Sequence, residues 1–307
     1  WHVAVYLDQG DAFFRGFYLK HNINRYADTF EGHGGRWWYY FAVMPLILLP
    51  FTGWLLAIAG KNAGALRQSH NDALFERFLV IWIVVVFAFF SFSGTQLPHY
   101  LLYGCTPIFI LLARNRLDFE RRWLAFVPMI LFALLLAVLP EVLAFAAAKA
   151  SRPFEKFLLD GLTVAFSDEA RWLLPLLLIA VIGLALWRRL PVWQGLVLAG
   201  LLQAATVAII IAPRAIGVTQ GPVREAAMLV KQSGETNVVA WRIIMPSFSV
   251  YRQAATPTRV PELGQLVFTR TDRKHEVQAL LAPGLTLRDV YQRSFVTLAR
   301  VEREAKQ

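Results

Sequence analysis

The chain has 307 residues, of which 57% are hydrophobic and only 17% charged, and it carries a formal net charge of +10. A soluble protein of this size has roughly a quarter charged residues, so this composition and its positive mean hydropathy exclude an ordinary water-soluble globule. The basic residues lie mainly between apolar runs, which speaks for anionic lipid and topology control and against nucleic acid.

Residues 1–36 open on Trp1 with no charged-then-apolar signal segment, and the protein is read as lacking its true beginning. A helix over Ala12–Tyr26 would place Phe14, Phe17, Tyr18 and His21 on one side, with Arg25 continuing the line. Two readings follow. One is a helix anchored in the membrane interface, rings in the acyl boundary and cations near headgroups. The other has Lys20, His21 and Arg25 pointing into a membrane-level pocket that binds a lipid-linked phosphate, for which arginine offers a planar two-pronged donor. A metal on His21 would need further ligands, and no His, Cys or carboxylate pattern nearby supplies them. His33, in a Gly-rich turn, is a weaker candidate still.

Residues 37–212 hold six apolar runs of about the length a bilayer demands, roughly 20 residues of helix: Trp37–Ala59, Phe78–Ser93, Leu97–Ala113, Trp123–Phe145, Trp172–Trp187 and Leu190–Ala212. The second and fifth are short, and Arg77 and Arg188 at their ends can snorkel to extend them. Pro45, Pro50, Pro107, Pro128 and Pro175 are tolerated inside membrane helices, whereas Pro98 and Pro191 read as breaks between spans. Loop 60–77 carries Lys61, Arg67 and Arg77, loop 114–122 carries Arg114, Arg116, Arg121 and Arg122, and the fifth run ends on Arg188-Arg189. Every second loop is thus basic, which places these three in the cytoplasm and both ends of the chain outside. Cys105, the single cysteine, lies in an apolar stretch and excludes an internal disulfide or a multi-Cys metal site.

The turn Phe90-Ser-Phe-Ser-Gly-Thr-Gln-Leu-Pro-His-Tyr-Leu-Leu-Tyr103 gathers polar atoms at the outer rim. Tyr100, just past a proline at a helix start, is either an aromatic-belt residue or a donor to an anion beside exposed amides. Asp160, Asp168 and Glu169 in the outer loop 146–171 are candidate acids or bases, but with nothing near them to raise a pKa they read as solvated. Residues 213–307 form a small α/β domain: Asn237–Trp241, Phe248–Tyr251 and Leu266–Thr269 read as strands, Val223–Gln232 and Leu287–Arg293 as helices. No Gly-rich phosphate loop, Ser-His-Asp order or HExxH motif occurs.

Three strings then carry a resemblance. Lys20-His-Asn-Ile-Asn-Arg-Tyr26 followed by Arg36-Trp-Trp-Tyr-Tyr40, then Phe92-Ser-Gly-Thr-Gln-Leu-Pro-His-Tyr100, then Met245-Pro-Ser-Phe-Ser-Val-Tyr251 resemble, in order, segments of glycosyltransferase family 39. Those C-type membrane enzymes include protein O-mannosyltransferases and the aminoarabinose transferases that modify lipid A. The resemblance implies a polytopic, mainly α-helical protein of the bacterial inner membrane. An interfacial helix (1–36) would be followed by about six spans (37–212) and an extracytoplasmic, periplasmic α/β domain (213–307). It implies transfer of a sugar from a polyprenyl-phosphate donor to a lipid or protein acceptor, with a missing amino-terminal half supplying the catalytic Asp; no residue here is given that role. It further implies that Lys20, Arg25 and Tyr100 meet the lipid phosphate and that His21 lies close to a divalent metal, zinc or magnesium/manganese. Gln96 stands where the family commonly has Lys. The rival readings are a lipid-linked-sugar transporter or flippase, disfavoured because the spans hold almost no mid-membrane ionisable residues, and a non-catalytic scaffold.

Overall fold

The computed structural model describes residues 1–23, 36–49, 51–53, 71–117 and 122–304, with the side chains of 21–23 and 71–73 outside that description. Two compact units divide the chain: Trp1–Phe132 with Ile179–Leu201, and Ala133–Leu178 with Leu202–Gln307.

The first unit begins with helix α1 (His2–Gln9), a short helical turn Asp11–Phe13 and a π-helical segment Phe14–Ile23. The expected α-helix over residues 12–26 is therefore wound more widely, and its last residues, Arg25 among them, lie outside the described residues. Stacked rings hold the pair together: Phe13 lies on Phe17 with centroids 5.3 Å apart, and the Tyr18 hydroxyl meets His2 Nδ1 at 2.8 Å.

Apolar helices follow: α2 (Tyr39–Ile47), α3 (Asn71–Ser91), α4 (Leu102–Arg114) and α5 (Arg122–Ala137). The second unit continues with α6 (Leu139–Lys149) and α7 (Pro153–Ala165); helix α8 (Ala170–Leu186) leads back into the first. Pro45, Pro107, Pro128 and Pro175 lie inside helices, as the span reading requires. Rings and aliphatic chains point outward along these helices: Trp172 is 76% exposed and Ile179 64%. Close approach of backbones also matters, because a Cβ on Gly53 would run into the Leu124 carbonyl oxygen.

Among the described residues two helices, Leu74–Ser91 and Val192–Ser233, are by themselves long and apolar enough to cross a membrane. The number rises to four if each bent pair is one span; α5 and α6 meet at 54°, α7 and α8 at 73°. Helix α9 (Val192–Thr206) runs through a π-helical turn, Val207–Ile211, into α10 (Ala212–Ser233), so the path crosses the expected domain boundary at 212–213 without a break. Gly234, at φ 68°, ends it in the left-handed conformation that glycine adopts at no steric cost.

The tail is a four-stranded sheet of order β1-β2-β4-β3, built from β1 (Val238–Ala240), β2 (Leu266–Arg270), β3 (Leu285–Arg293) and β4 (Val296–Arg303). Strand β1 runs parallel to β2, and the other pairings are antiparallel. Alternation along β2 sends Leu266 and Phe268 toward Val223, Ala226, Ala227 and Val230 of α10, and sends Val267 to the opposite face beside Val277. Phe154, Phe157 and Leu158 of α7 pack on the same core as α10, so the sheet is seated directly on helices.

Two tail assignments are corrected. Phe248–Tyr251 is not a strand but part of helix α11 (Ser247–Arg252), which buries Phe248 flat against Phe268 with centroids 3.9 Å apart. Leu287–Arg293 is not a helix but lies in β3, because β4 offers it a full antiparallel ladder. Helix α12 (Lys274–Leu280) and strand β4 lay in stretches given no element from sequence.

Candidate functional site

Tyr100 sits in a single 3₁₀ turn, Pro98–Leu101, between α3 and α4. The Leu97-Pro98 step explains the turn: proline has no N–H to give and starts a helix with its φ already set. The Tyr100 ring is half-buried against Phe90, centroids 4.9 Å apart, and meets His99 edge-on at 4.9 Å.

Tyr40, fully buried, pins this turn from α2. Its hydroxyl donates to the Leu97 carbonyl at 3.0 Å and accepts from the Leu97 N–H at 3.2 Å. One phenol thus satisfies both backbone groups of the residue before the proline. In the sequence Tyr40 stands out only as part of the aromatic string Arg36-Trp-Trp-Tyr-Tyr40. A signal was present, since a tyrosine at the head of an apolar run needs a partner for its hydroxyl once buried.

Gln96 turns inward. It is 5% exposed, and its Nε2 donates to the Ser91 carbonyl at 2.8 Å, closing the end of α3. Ser93 Oγ donates to the Thr95 carbonyl at 3.0 Å, and Thr95 is fully buried. Where the family resemblance leads one to expect a cation, this turn holds a buried neutral amide that stabilises its own backbone.

Lys20 is exposed on the π-helical segment, and among the described residues no contact joins it to Tyr100. Arg25 and the His21 side chain lie outside the described residues. No three His, Cys, Asp or Glu side chains come together as a metal site among the described residues.

In the second unit Asp160 and Asp168 line a cleft of about 850 Å³ together with Arg214 and Arg293, with apolar walls from Phe157 and Val218. Asp168 is committed to structure: it accepts from the Ala170 N–H at 3.2 Å at the head of α8 and pairs with Arg214 at 3.5 Å. Glu225 is held by Arg293 and by the Tyr291 hydroxyl, which donates to it at 2.9 Å. Burial, aided by that carboxylate, pushes the Tyr291 phenol above its ordinary range and keeps it a donor.

No protein-family model matches the chain. Two crystal structures of ArnT from Cupriavidus metallidurans share its fold. The one bound to undecaprenyl phosphate aligns at TM-score 0.68 and 15% identity, covering 97% of this chain and 57% of that one. The apo form aligns at TM-score 0.64. The fold is thus that of the ArnT structures, mainly helical, with candidate apolar spans and a small mixed sheet.

The sequence relatives agree. The undecaprenyl phosphate-alpha-4-amino-4-deoxy-L-arabinose arabinosyl transferase 2 of Pseudomonas fluorescens (strain Pf0-1) is 27% identical over 265 residues, 82% of this chain and 46% of the relative. The corresponding transferase 2 of Proteus mirabilis (strain HI4320) is 32% identical over 124 residues, 40% of this chain and 21% of the relative. The chain's homologues are arabinosyl transferases that use an undecaprenyl-phosphate-linked sugar, and the chain spans about half the length of the curated relatives it matches.

Proposed function

We propose that the chain is the carboxy-terminal part of an inner-membrane glycosyltransferase that moves a sugar, of the aminoarabinose type, from undecaprenyl phosphate to lipid A or a similar acceptor on the outer membrane face. The observation that carries this reading is the shared fold over 97% of the chain with a protein crystallised with undecaprenyl phosphate, joined to a sequence likeness to transferases of that donor. In the reaction the acceptor oxygen forms the new bond to the anomeric carbon, its proton passes to a carboxylate, and the lipid phosphate leaves with the old bond's electron pair. The carboxylate belongs to a part of the protein outside this chain.

In this reading Lys20, Arg25 and Tyr100 face the departing phosphate, His21 stands beside a divalent metal if one is used, residues 37–212 make about six spans, and residues 213–307 are periplasmic. The Tyr40–Leu97 clamp supports the part played by Tyr100, since it sets the turn on which the phenol is carried. The test is transfer from a purified polyprenyl-phosphate sugar by the complete protein. Arg25→Ala and Tyr100→Phe should each lower the rate about ten- to a hundred-fold, the value of one charge-assisted hydrogen bond to phosphate, at unchanged expression. Wild-type rates in both would return these residues to anchoring the helix and the aromatic belt.

A further inference from the structure

Three helical paths break at one level of the second unit. Helices α5 and α6 meet at 54° around Val138, α7 and α8 meet at 73° across residues 166–169, and the path from α9 to α10 widens into the π-helical turn Val207–Ile211. Distant in sequence, the three breaks share one apolar centre. Phe166 is 1% exposed, and Leu139, Leu143, Ile210 and Ile211 pack around it and its neighbours Ala170 and Leu174. Proline favours the wide turn. Pro213 has no N–H to continue the ladder, and the Ala212 N–H reaches back to the Val207 carbonyl.

One arginine joins the broken ends. Arg214 Nε donates at 3.2 Å to the carbonyl of Ala165, the last residue of α7, and Nη1 donates at 3.2 Å to the Ile210 carbonyl inside the π-helical turn. Its Nη2 pairs with Asp168, ahead of α8, at 3.5 Å. Arg171 of α8 and Glu141 of α6 pair at 3.3 Å on a more exposed side, where an ion pair counts for less. Beyond the breaks the elements pack as one. Helix α7 runs antiparallel to α10: Ala165 lies by Arg214, Gly161 by Val218, and Phe154 and Phe157 reach the core that Val223 and Ala226 share with the sheet. A Cβ on Gly161 would stand 2.9 Å from Val218 Cγ1, so the two helices have little room to slide. The cleft of about 850 Å³ crosses this level, with Asp168 at the break and Arg293 and Ser294, at the β3–β4 turn, beyond it.

We propose that this level is a hinge, on which α6, α7, α10 and the four-stranded sheet tilt as one body against α8, with Phe166 as the pivot and Arg214 as the latch. Tilting moves Arg293 and Ser294 relative to Asp168, and so opens or closes the cleft between them. Bending concentrates here because the backbone ladder is already interrupted in all three paths. Movement at an existing break sacrifices no further backbone hydrogen bonds, whereas bending within a helix does. Arginine suits the latch because its planar fork reaches oxygens on three segments at once, and its loss frees all three together. The hinge does not depend on the transferase reading.

The experiment measures distances between pairs of spin labels by pulsed electron paramagnetic resonance, on the whole chain in an uncharged detergent and a Cys105→Ser background. One pair spans the hinge, with labels on Leu176→Cys of α8 and Ala279→Cys of α12, both exposed positions. The other lies within the tilting body, on Lys156→Cys of α7 and Ala279→Cys. Arg214→Ala should move the hinge-spanning pair at least about tenfold toward a second distance, the effect of losing a charge-assisted hydrogen bond, and leave the other pair unchanged. Arg214→Lys should recover little of the original distance. A disulfide between Gly161→Cys and Val218→Cys, closed before labelling, should form readily, because a Cβ at 161 lies 4.0 Å from that of Val218. Joining α7 to α10 in this way should leave the second distance in place. An unchanged hinge-spanning distance in Arg214→Ala would mean there is no latch. A change in the pair within the body would mean local unfolding, and loss of the second distance on closing the disulfide would mean that α7 slides along α10; each of these overturns the proposal.

Discussion

Tyr40 concentrates two backbone contacts in a single atom. Its hydroxyl serves the carbonyl and the N–H of Leu97, 57 positions away, from a fully buried site. Tyr40→Phe leaves both backbone groups without that partner where water is scarce, and one unsatisfied buried group costs about 1–3 kcal/mol. The variant should melt at lower temperature in detergent, and transfer by the complete protein should fall because the turn bearing Tyr100 loosens. An unchanged melting temperature would show that the clamp carries no stability. At the far end of the protein Glu235 pairs with Arg300 at 2.8 Å, and that hydrogen bond, against the opposing effect of burial, holds its carboxyl below the usual range. A depressed folded value means the stabilisation is fully present above the ordinary glutamate value of about 4.3 and is lost as the pH falls through the lower folded value. Acidification through that window should therefore destabilise the tail domain of the wild type, and Glu235→Gln should flatten the dependence. Hydrogen exchange of β1 and β4 between neutral pH and about pH 3 measures it, and identical slopes in the two proteins would remove the pair from the account.

At the scale of elements, helix ends are where polar backbone must be answered. The last carbonyls of α8 and of the turn after it are answered by one side chain from another helix: Arg122 donates from Nε to Ala185 at 2.7 Å, from Nη1 to Leu190 at 2.6 Å, and from Nη2 to Leu184 at 2.7 Å and Trp187 at 2.9 Å. A cation at a helix C-terminus also meets the favourable end of its dipole. Each bond from a charged donor is worth about 1.5–3 kcal/mol, and the four act as a unit, so their loss is less than additive. Arg122→Ala should open the α8–α9 turn, read as a marked loss of exchange protection over residues 184–190. Arg122→Lys should restore little, because an ammonium has no planar set of five N–H donors to span four carbonyls. Full rescue by lysine would make the interaction one of charge alone.

For the whole molecule the question is which side of the membrane each face meets. The basic loops 60–77, 114–122 and 188–189 alternate with loops that are nearly uncharged or mixed. A compartment-specific reporter fused after residue 115 should be active only in a cytoplasm-sensing form, and one fused after Gln307 only in a form that works outside. Cytoplasmic activity of the Gln307 fusion would reverse the orientation and with it the periplasmic placement of the tail.

Much of this was legible in the chain itself. Membrane class follows from the length and apolarity of the runs, since a bilayer demands a fixed span of satisfied backbone and nothing else in biology asks for it so repeatedly. Pro45, Pro107, Pro128 and Pro175 inside helices, the breaks at Pro98 and Pro191, the helix over Val223–Gln232 and the strand at Leu266–Thr269 came from local pattern and were found in place, while Pro50 lies outside the described residues. The resemblance of three short strings pointed to the fold that the ArnT structures share. What the tertiary structure alone decided is what depends on a distant partner. Leu287–Arg293 carries helix-compatible residues and becomes a strand because β4 pairs with it; Phe248–Tyr251 looks extended and becomes a helix because Phe248 is buried flat on Phe268. Gln96 folds inward to a carbonyl five residues back, Tyr40 reaches Leu97, and Arg242 and Arg273 converge on one glutamate. Periodicity records which side of an element is apolar, but it holds no information on which other side that face will meet, and these residues take their roles from that meeting.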